Sequence, residues 1–144
     1  MNRPLAYWDS SALVPLCVPQ RQTIRATAIY ENCQVVAWWA TEVEMVSGLA
    51  RLQRMGEISP SQFLDGRRLA KDIVGAWTSA DCPTSIADEA CRLLERFQLR
   101  AADALQLAVA LEVCEHRPRG HVFVTADRKL ADAAEKSGFS VKFL

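Results

Sequence analysis

The stretch Leu5-Ala6-Tyr7-Trp8-Asp9-Ser10-Ser11 decides how the rest of the chain reads. Leu5 to Trp8 is a short apolar run with the length of a buried strand. Asp9, Ser10 and Ser11 then form a cluster suited to helix N-capping, and the apolar stretch Ala12 to Cys17 follows. Pro15 and Pro19 keep that helix short.

Outward from this start, the same alternation recurs. Arg21 to Glu31 reads as a helix and Gln34 to Ala37 as a second buried strand. Thr41 to Met55 is helical, with Val43, Val46, Leu49 and Ala50 at helix spacing and Gly56 as a stop. Ser59-Pro60 opens another helix with Phe63, Ile73, Val74 and Trp77 among its apolar residues. Asp81-Cys82-Pro83 breaks the chain, and Thr84 or Ser85 restarts a helix ending near Phe97. Ala101 to Glu115 is a strongly apolar helix, followed by a loop over Arg117 to Gly120. His121 to Thr125 is a strand, Asp127 to Lys136 a helix, and Phe139 to Phe143 a last strand. Strands separated by helices predict an α/β fold, a mostly parallel sheet with helices on both faces.

The 144 residues are read as a single domain over 1–144, with about two-thirds of the unfolded surface available for burial. A hydrophobic share of 50% with 24% charged residues excludes a disordered chain. The balance of 17 Lys and Arg against 17 Asp and Glu excludes attachment to nucleic acid through a broadly basic field. A local patch or bound cations would have to supply that attraction. Cys17, Cys33, Cys82, Cys91 and Cys114 form no C-x-x-C pair, which argues against a disulfide scaffold or zinc site and for reduced cytosolic thiols. Asp9 comes too early for a signal peptide, and no apolar run reaches the roughly 20 residues of a membrane helix. The expectation is a soluble, cytoplasmic protein with no membrane association.

Ligands in such folds gather at the carboxyl ends of the strands, where four acids stand out. Asp9 and Asp127 each follow a strand and open a helix, so capping alone would explain either. Asp103 sits on the apolar run Leu99 to Leu111, where a buried carboxylate needs a partner; Arg100 one turn earlier or a bound cation would serve. Glu42 and Glu44 project about 200° apart and cannot share one site. Helix projection puts Glu42 nearer the apolar stripe, whereas the small residues Ala40, Ser47 and Gly48 surround Glu44. Carboxylates gathered at one edge repel unless cations neutralise them, and hard oxygen ligands suit Mg²⁺ or Mn²⁺. His116 and His121 both flank one loop, which gives poor support to a two-histidine mechanism. There is no Ser or Cys nucleophile motif, phosphate-binding glycine loop or dinucleotide turn.

Tyr7-Trp8-Asp9-Ser10-Ser11-Ala12-Leu13-Val14 resembles the first motif of the PIN-domain ribonucleases, most closely the VapC toxins of toxin–antitoxin modules. Thr41 to Leu49 resembles the second motif and selects Glu44 over Glu42; Leu99 to Leu111 resembles the third and assigns Asp103. Val122 to Leu130 resembles the fourth and assigns Asp127. The resemblance spans essentially the whole chain. It implies a three-layer α/β/α PIN-like sandwich and a Mg²⁺- or Mn²⁺-dependent endoribonuclease in which Asp9, Glu44, Asp103 and Asp127 hold the metal. It further implies hydrolysis of RNA by metal-activated water, 5′-phosphate and 3′-hydroxyl products, a homodimer, and neutralisation by a cognate VapB-like antitoxin. Ser11 and Thr125 are the hydroxyls expected to orient the carboxylates. Arg100 and Arg128 are the expected RNA contacts closest in sequence to them. Two residues depart from the pattern: Pro15 stands where many relatives carry Lys, and Gln106 where His is frequent.

Two other readings stay open at this level. One is a PIN scaffold that binds RNA or protein without cutting. The other is a receiver-like signalling domain, although the first strand lacks the adjacent acidic pair expected there. Of the neighbours Trp38 and Trp39, one is expected in the core; for the other, packing is the preferred reading and exposure to a partner or a base the alternative.

Overall fold

The strands are short because each needs only a few alternating side chains to reach both faces of the sheet. In the computed structural model, which describes residues 2–144, they are β1 (Leu5–Trp8), β2 (Gln34–Ala37), β3 (Thr78–Ser79), β4 (Val122–Thr125) and β5 (Ser140–Phe143). Their order is β3-β2-β1-β4-β5, and every neighbouring pair is parallel. Helices α1 (Ser10–Cys17), α2 (Thr23–Tyr30), α3 (Trp39–Arg54) and α4 (Pro60–Ala76) lie between β1 and β3 in the chain, interrupted by β2. Helices α5 (Ile86–Arg96), α6 (Ala101–Val113) and α7 (Arg128–Ser137) follow.

Alternation along the strands splits the core in two. Tyr7, Val36 and Phe123 point to one face, where they pack with buried residues of α5, α6 and α7. Ala6, Trp8, Val35, Ala37 and Val124 point to the other, against α1, α3 and α4. The expected three layers are therefore present, and the central sheet is wholly parallel.

Three details differ from expectation. The sequence marks no strand between Trp77 and the break at Asp81, yet β3 lies there; its two residues are exposed and carry no apolar signal. Only pairing with Val36 and Ala37 makes them a strand. Helix α3 begins at Trp39, and its buried stripe is Thr41, Met45, Leu49 and Leu52, while Val43 is 62% exposed. Counting apolar residues alone rotated that stripe, because a threonine with a buried hydrogen-bond partner occupies one of its positions. Finally, the strand order is not the 2-1-3-4-5 arrangement of receiver-like folds, so that alternative does not hold.

Two close approaches set the helices around β1. A Cβ on Gly48 would lie 3.2 Å from Val14 Cγ2, so α3 rests directly on α1. Gly138, with φ 113°, ends α7 in the left-handed region and lets the chain turn into β5. The chain places β2 and β3 on one side of β1, and β4 and β5 on the other. The carboxyl ends of β1 and β4 thus flank the point where the strand order reverses, the place where such sheets open a crevice.

Candidate active site

That crevice is a cavity of about 400 Å³, and Asp9, Glu44, Asp103 and Asp127 all line it. Four positions spread over most of the chain meet there because two are strand ends and two lie on helices flanking the same edge. Asp9 caps α1 by accepting from Ser11 N, and Asp127 caps α7 by accepting from Leu130 N. Capping and placement at the cavity are therefore the same fact for both acids: the cap geometry anchors the carboxylate at the sheet edge.

Asp9 is only 3% exposed. Its Oδ1 accepts from Ser11 Oγ at 2.8 Å and its Oδ2 from Ser11 N at 3.2 Å. The Ser11 hydroxyl also accepts from Ala126 N at 2.9 Å and lies 3.2 Å from Thr125 Oγ1. Thr125 Oγ1 in turn accepts from Asp127 N. The two expected hydroxyls thus stitch the end of β1 to the end of β4.

Glu44 points into the cavity, where its Oε2 accepts from Gln106 Nε2 at 2.5 Å. Glu42 faces away and pairs with Lys71 at 2.5 Å. Of the two glutamates, the one the motif match chose is thus the one that lines the cavity, and the projection that put Glu42 nearer the apolar stripe failed along with the misplaced stripe. Asp103 pairs with Arg100 Nε at 3.5 Å, and Arg100 Nη2 reaches Asp127 Oδ2 at 3.8 Å.

Burial dominates the electrostatics. It pushes the Asp9 carboxyl from 3.8 to about 6, against the lowering effect of Thr125 and Ser11. It pushes Glu44 from 4.5 to about 7, with Gln106 opposing and the charges of Asp9 and Asp103 adding to the rise. Asp103 is raised too, first by burial and then by Asp127, with Arg100 opposing. Buried Asp9 and half-buried Glu44 have only neutral hydrogen-bond partners, so ionising both leaves their charge without a paired cation.

This donor set fits a hard divalent cation, which Asp9 and Glu44 on one side and Asp103 and Asp127 on the other would hold. Among the described residues no three acids close into a compact ligand group.

Of the basic residues, Arg51 and Arg100 line the cavity. Arg128 does not; its guanidinium stacks on Phe143, 3.8 Å from the ring centroid. Trp38 is buried and Trp39 is 73% exposed, so the alternative of one core and one exposed tryptophan holds and the preferred reading that both pack does not. The residue that sequence reading undervalued is Gln106. It is fully buried and joins Tyr7, Thr41 and Glu44, a role signalled only by an amide in the middle of an apolar helix.

Comparison with known proteins agrees with this geometry. The chain is 29% identical over 139 residues to Ribonuclease VapC45 and Ribonuclease VapC49 of two Mycobacterium tuberculosis strains, covering 96% of the chain and 94% of each relative. The resemblance to VapC-type PIN-domain ribonucleases read from four short motifs is thereby borne out. No family model matches the chain. Two solved structures share the fold: PAE2754 from Pyrobaculum aerophilum, at TM-score 0.64 and 21% identity over 98% of this chain and 90% of that one, and FitAcB from Neisseria gonorrhoeae, at TM-score 0.59 and 19% identity over 96% of each. No helix among the described residues is long and apolar enough to cross a membrane.

Proposed function

We propose that this chain, similar over nearly its whole length to VapC ribonucleases, is a Mg²⁺- or Mn²⁺-dependent endoribonuclease that acts as a toxin held in check by a cognate VapB-like antitoxin. One observation carries the reading: four carboxylates line one cavity at the β1–β4 edge, and the two most desolvated have no cationic partner. Asp9 is the most rigid of the four, fixed by its strand end and by Ser11. Glu44, Asp103 and Asp127 complete the acidic wall. A bound divalent ion supplies the charge that favours attack of water on a phosphodiester and stabilises the departing oxygen.

The chain's own cations then hold the substrate. Arg51 and Arg100 stand at the cavity wall, where a phosphate would be placed in line with the acids. Arg128, stacked on Phe143, is left for RNA passing outside the cavity. Exposed apolar residues on α3 and α4, among them Val43, Leu64 and Leu69, support a homodimer face. A cytoplasmic location accords with an RNA substrate and five free thiols.

The test is cleavage of a defined RNA panel by purified protein in Mg²⁺, Mn²⁺ or EDTA, beside Asp9→Asn. Metal-dependent products with 5′-phosphate ends, lost in the variant, are expected. Undiminished cutting in EDTA or by Asp9→Asn would overturn the assignment, and RNA binding without cutting would favour the non-catalytic scaffold.

A further inference from the structure

The orientation of Glu44 is set by a chain of hydrogen bonds that starts on the sheet. Tyr7 Oη donates to Gln106 Oε1 at 2.6 Å. Gln106 Nε2 donates to Glu44 Oε2 at 2.5 Å and to Thr41 Oγ1 at 3.1 Å. Tyr7 is 4% exposed, and Gln106 and Thr41 are fully buried. None of the three lines the cavity, so none is placed to meet RNA.

The amide has two possible orientations, and its partners choose between them. A carboxylate accepts only, so the end facing Glu44 must be the NH₂ group. The remaining oxygen accepts from the tyrosine hydroxyl at 2.6 Å and, more distantly, from Thr41 Oγ1 at 3.4 Å. Turning the amide over would set Oε1 against the carboxylate and bring two acceptors together in a dry site, which is costly. The Glu44 carboxylate therefore selects the orientation of the amide, and Tyr7 supports it by donating the shortest hydrogen bond to Oε1. The link crosses β1, α6 and α3, and Asp9 lies two residues beyond Tyr7. The same strand end thus holds one carboxylate through its cap and another through a glutamine.

We propose that Tyr7 and Gln106 are positioning residues that hold Glu44 in its cation-binding orientation, with Tyr7 acting only through Gln106. The inference rests on the metal-dependent reading above, and it places the consequence in ion affinity, not in RNA contact.

The experiment titrates Mn²⁺ into wild type, Tyr7→Phe, Gln106→Met and the double variant without RNA, following free Mn²⁺ by electron paramagnetic resonance. Outer partners of metal ligands change affinity by about 10- to 100-fold, and Gln106→Met should fall in that range. Tyr7→Phe should weaken affinity less, and the double variant should be no worse than Gln106→Met alone. With RNA, the loss of rate in Tyr7→Phe should be recovered at high Mn²⁺ with KM for RNA unchanged. Tyr7→Phe keeps the ring stacked 5.5 Å from Phe123, so it carries the test even where Gln106→Met fails to fold. Unchanged Mn²⁺ affinity in Tyr7→Phe, or additive effects in the double variant, would overturn the positioning role while leaving the nuclease reading intact. Failure of the wild type to take up Mn²⁺ would overturn both.

Discussion

Asp9 presents both carboxylate oxygens to Ser11, one to its hydroxyl at 2.8 Å and one to its backbone N–H at 3.2 Å. That hydroxyl also accepts from Ala126 N, just beyond the end of β4. A single small side chain therefore fixes the acid at the end of β1 and ties it to the end of β4.

Replacing Ser11 with Ala should leave Ala126 N and one oxygen of Asp9 without their partner. The expected cost is about 1–3 kcal/mol in urea unfolding, together with a roughly 10- to 100-fold loss of Mn²⁺ affinity. Wild-type values for both would show that Ser11 serves only as a helix-start residue.

Glu42 and Glu44 give a paired comparison on one helix. Glu44→Gln should lower metal-dependent RNA cleavage by at least about 100-fold, because it removes a carboxylate from the cavity wall. Glu42→Gln removes only a surface pair with Lys71 and should leave cleavage within about twofold and stability within about 1 kcal/mol. Equal losses in the two variants would contradict the orientation of α3.

The raised carboxyls set a pH dependence for the metal-free protein. With the folded value of Asp9 above its ordinary one, the folded state binds the extra proton, so the stability this group contributes is full below pH 3.8 and is lost as pH rises through about 6. Glu44 acts in the same direction between 4.5 and about 7. For Asp9 the loss is about 3 kcal/mol. In EDTA, Asp9→Asn should therefore melt above wild type at pH 8 and approach it at pH 4. Mg²⁺ should raise the wild-type melting temperature at pH 8 far more than at pH 5. A melting difference independent of pH would show that the Asp9 charge is not destabilising.

Arg51 lines the cavity, and its removal should weaken RNA binding with little change in the Mn²⁺ requirement. One lost phosphate contact should reduce the slope of log affinity against log salt by about 0.7 for single-stranded RNA. An unchanged slope in Arg51→Ala would place the RNA elsewhere.

Much of this was legible in the chain because local signals agreed with one another. Short apolar runs located β1, β2 and β4, and the capping acids after β1 and β4 located the helices that follow them, so Asp9 and Asp127 came with them. What escaped lacked a local signal. The strand Thr78–Ser79 exists only through pairing with β2, and Gln106 registered only as a departure from the family pattern because its three partners lie 62 to 99 positions away. The choice between Glu42 and Glu44 failed by periodicity because the buried stripe of α3 includes Thr41, which no apolar count would include.

The sequence by itself determined the alternation of strand and helix, the parallel sheet and the acids at the strand ends, since each follows from residue type and spacing along a few neighbouring positions. The tertiary structure decided that β1 and β4 lie side by side, that Glu44 and not Glu42 turns inward, and that Gln106 connects Tyr7 to Glu44. Those outcomes depend on which distant surfaces are desolvated together, and burial is a property of the assembled layers that no single segment carries.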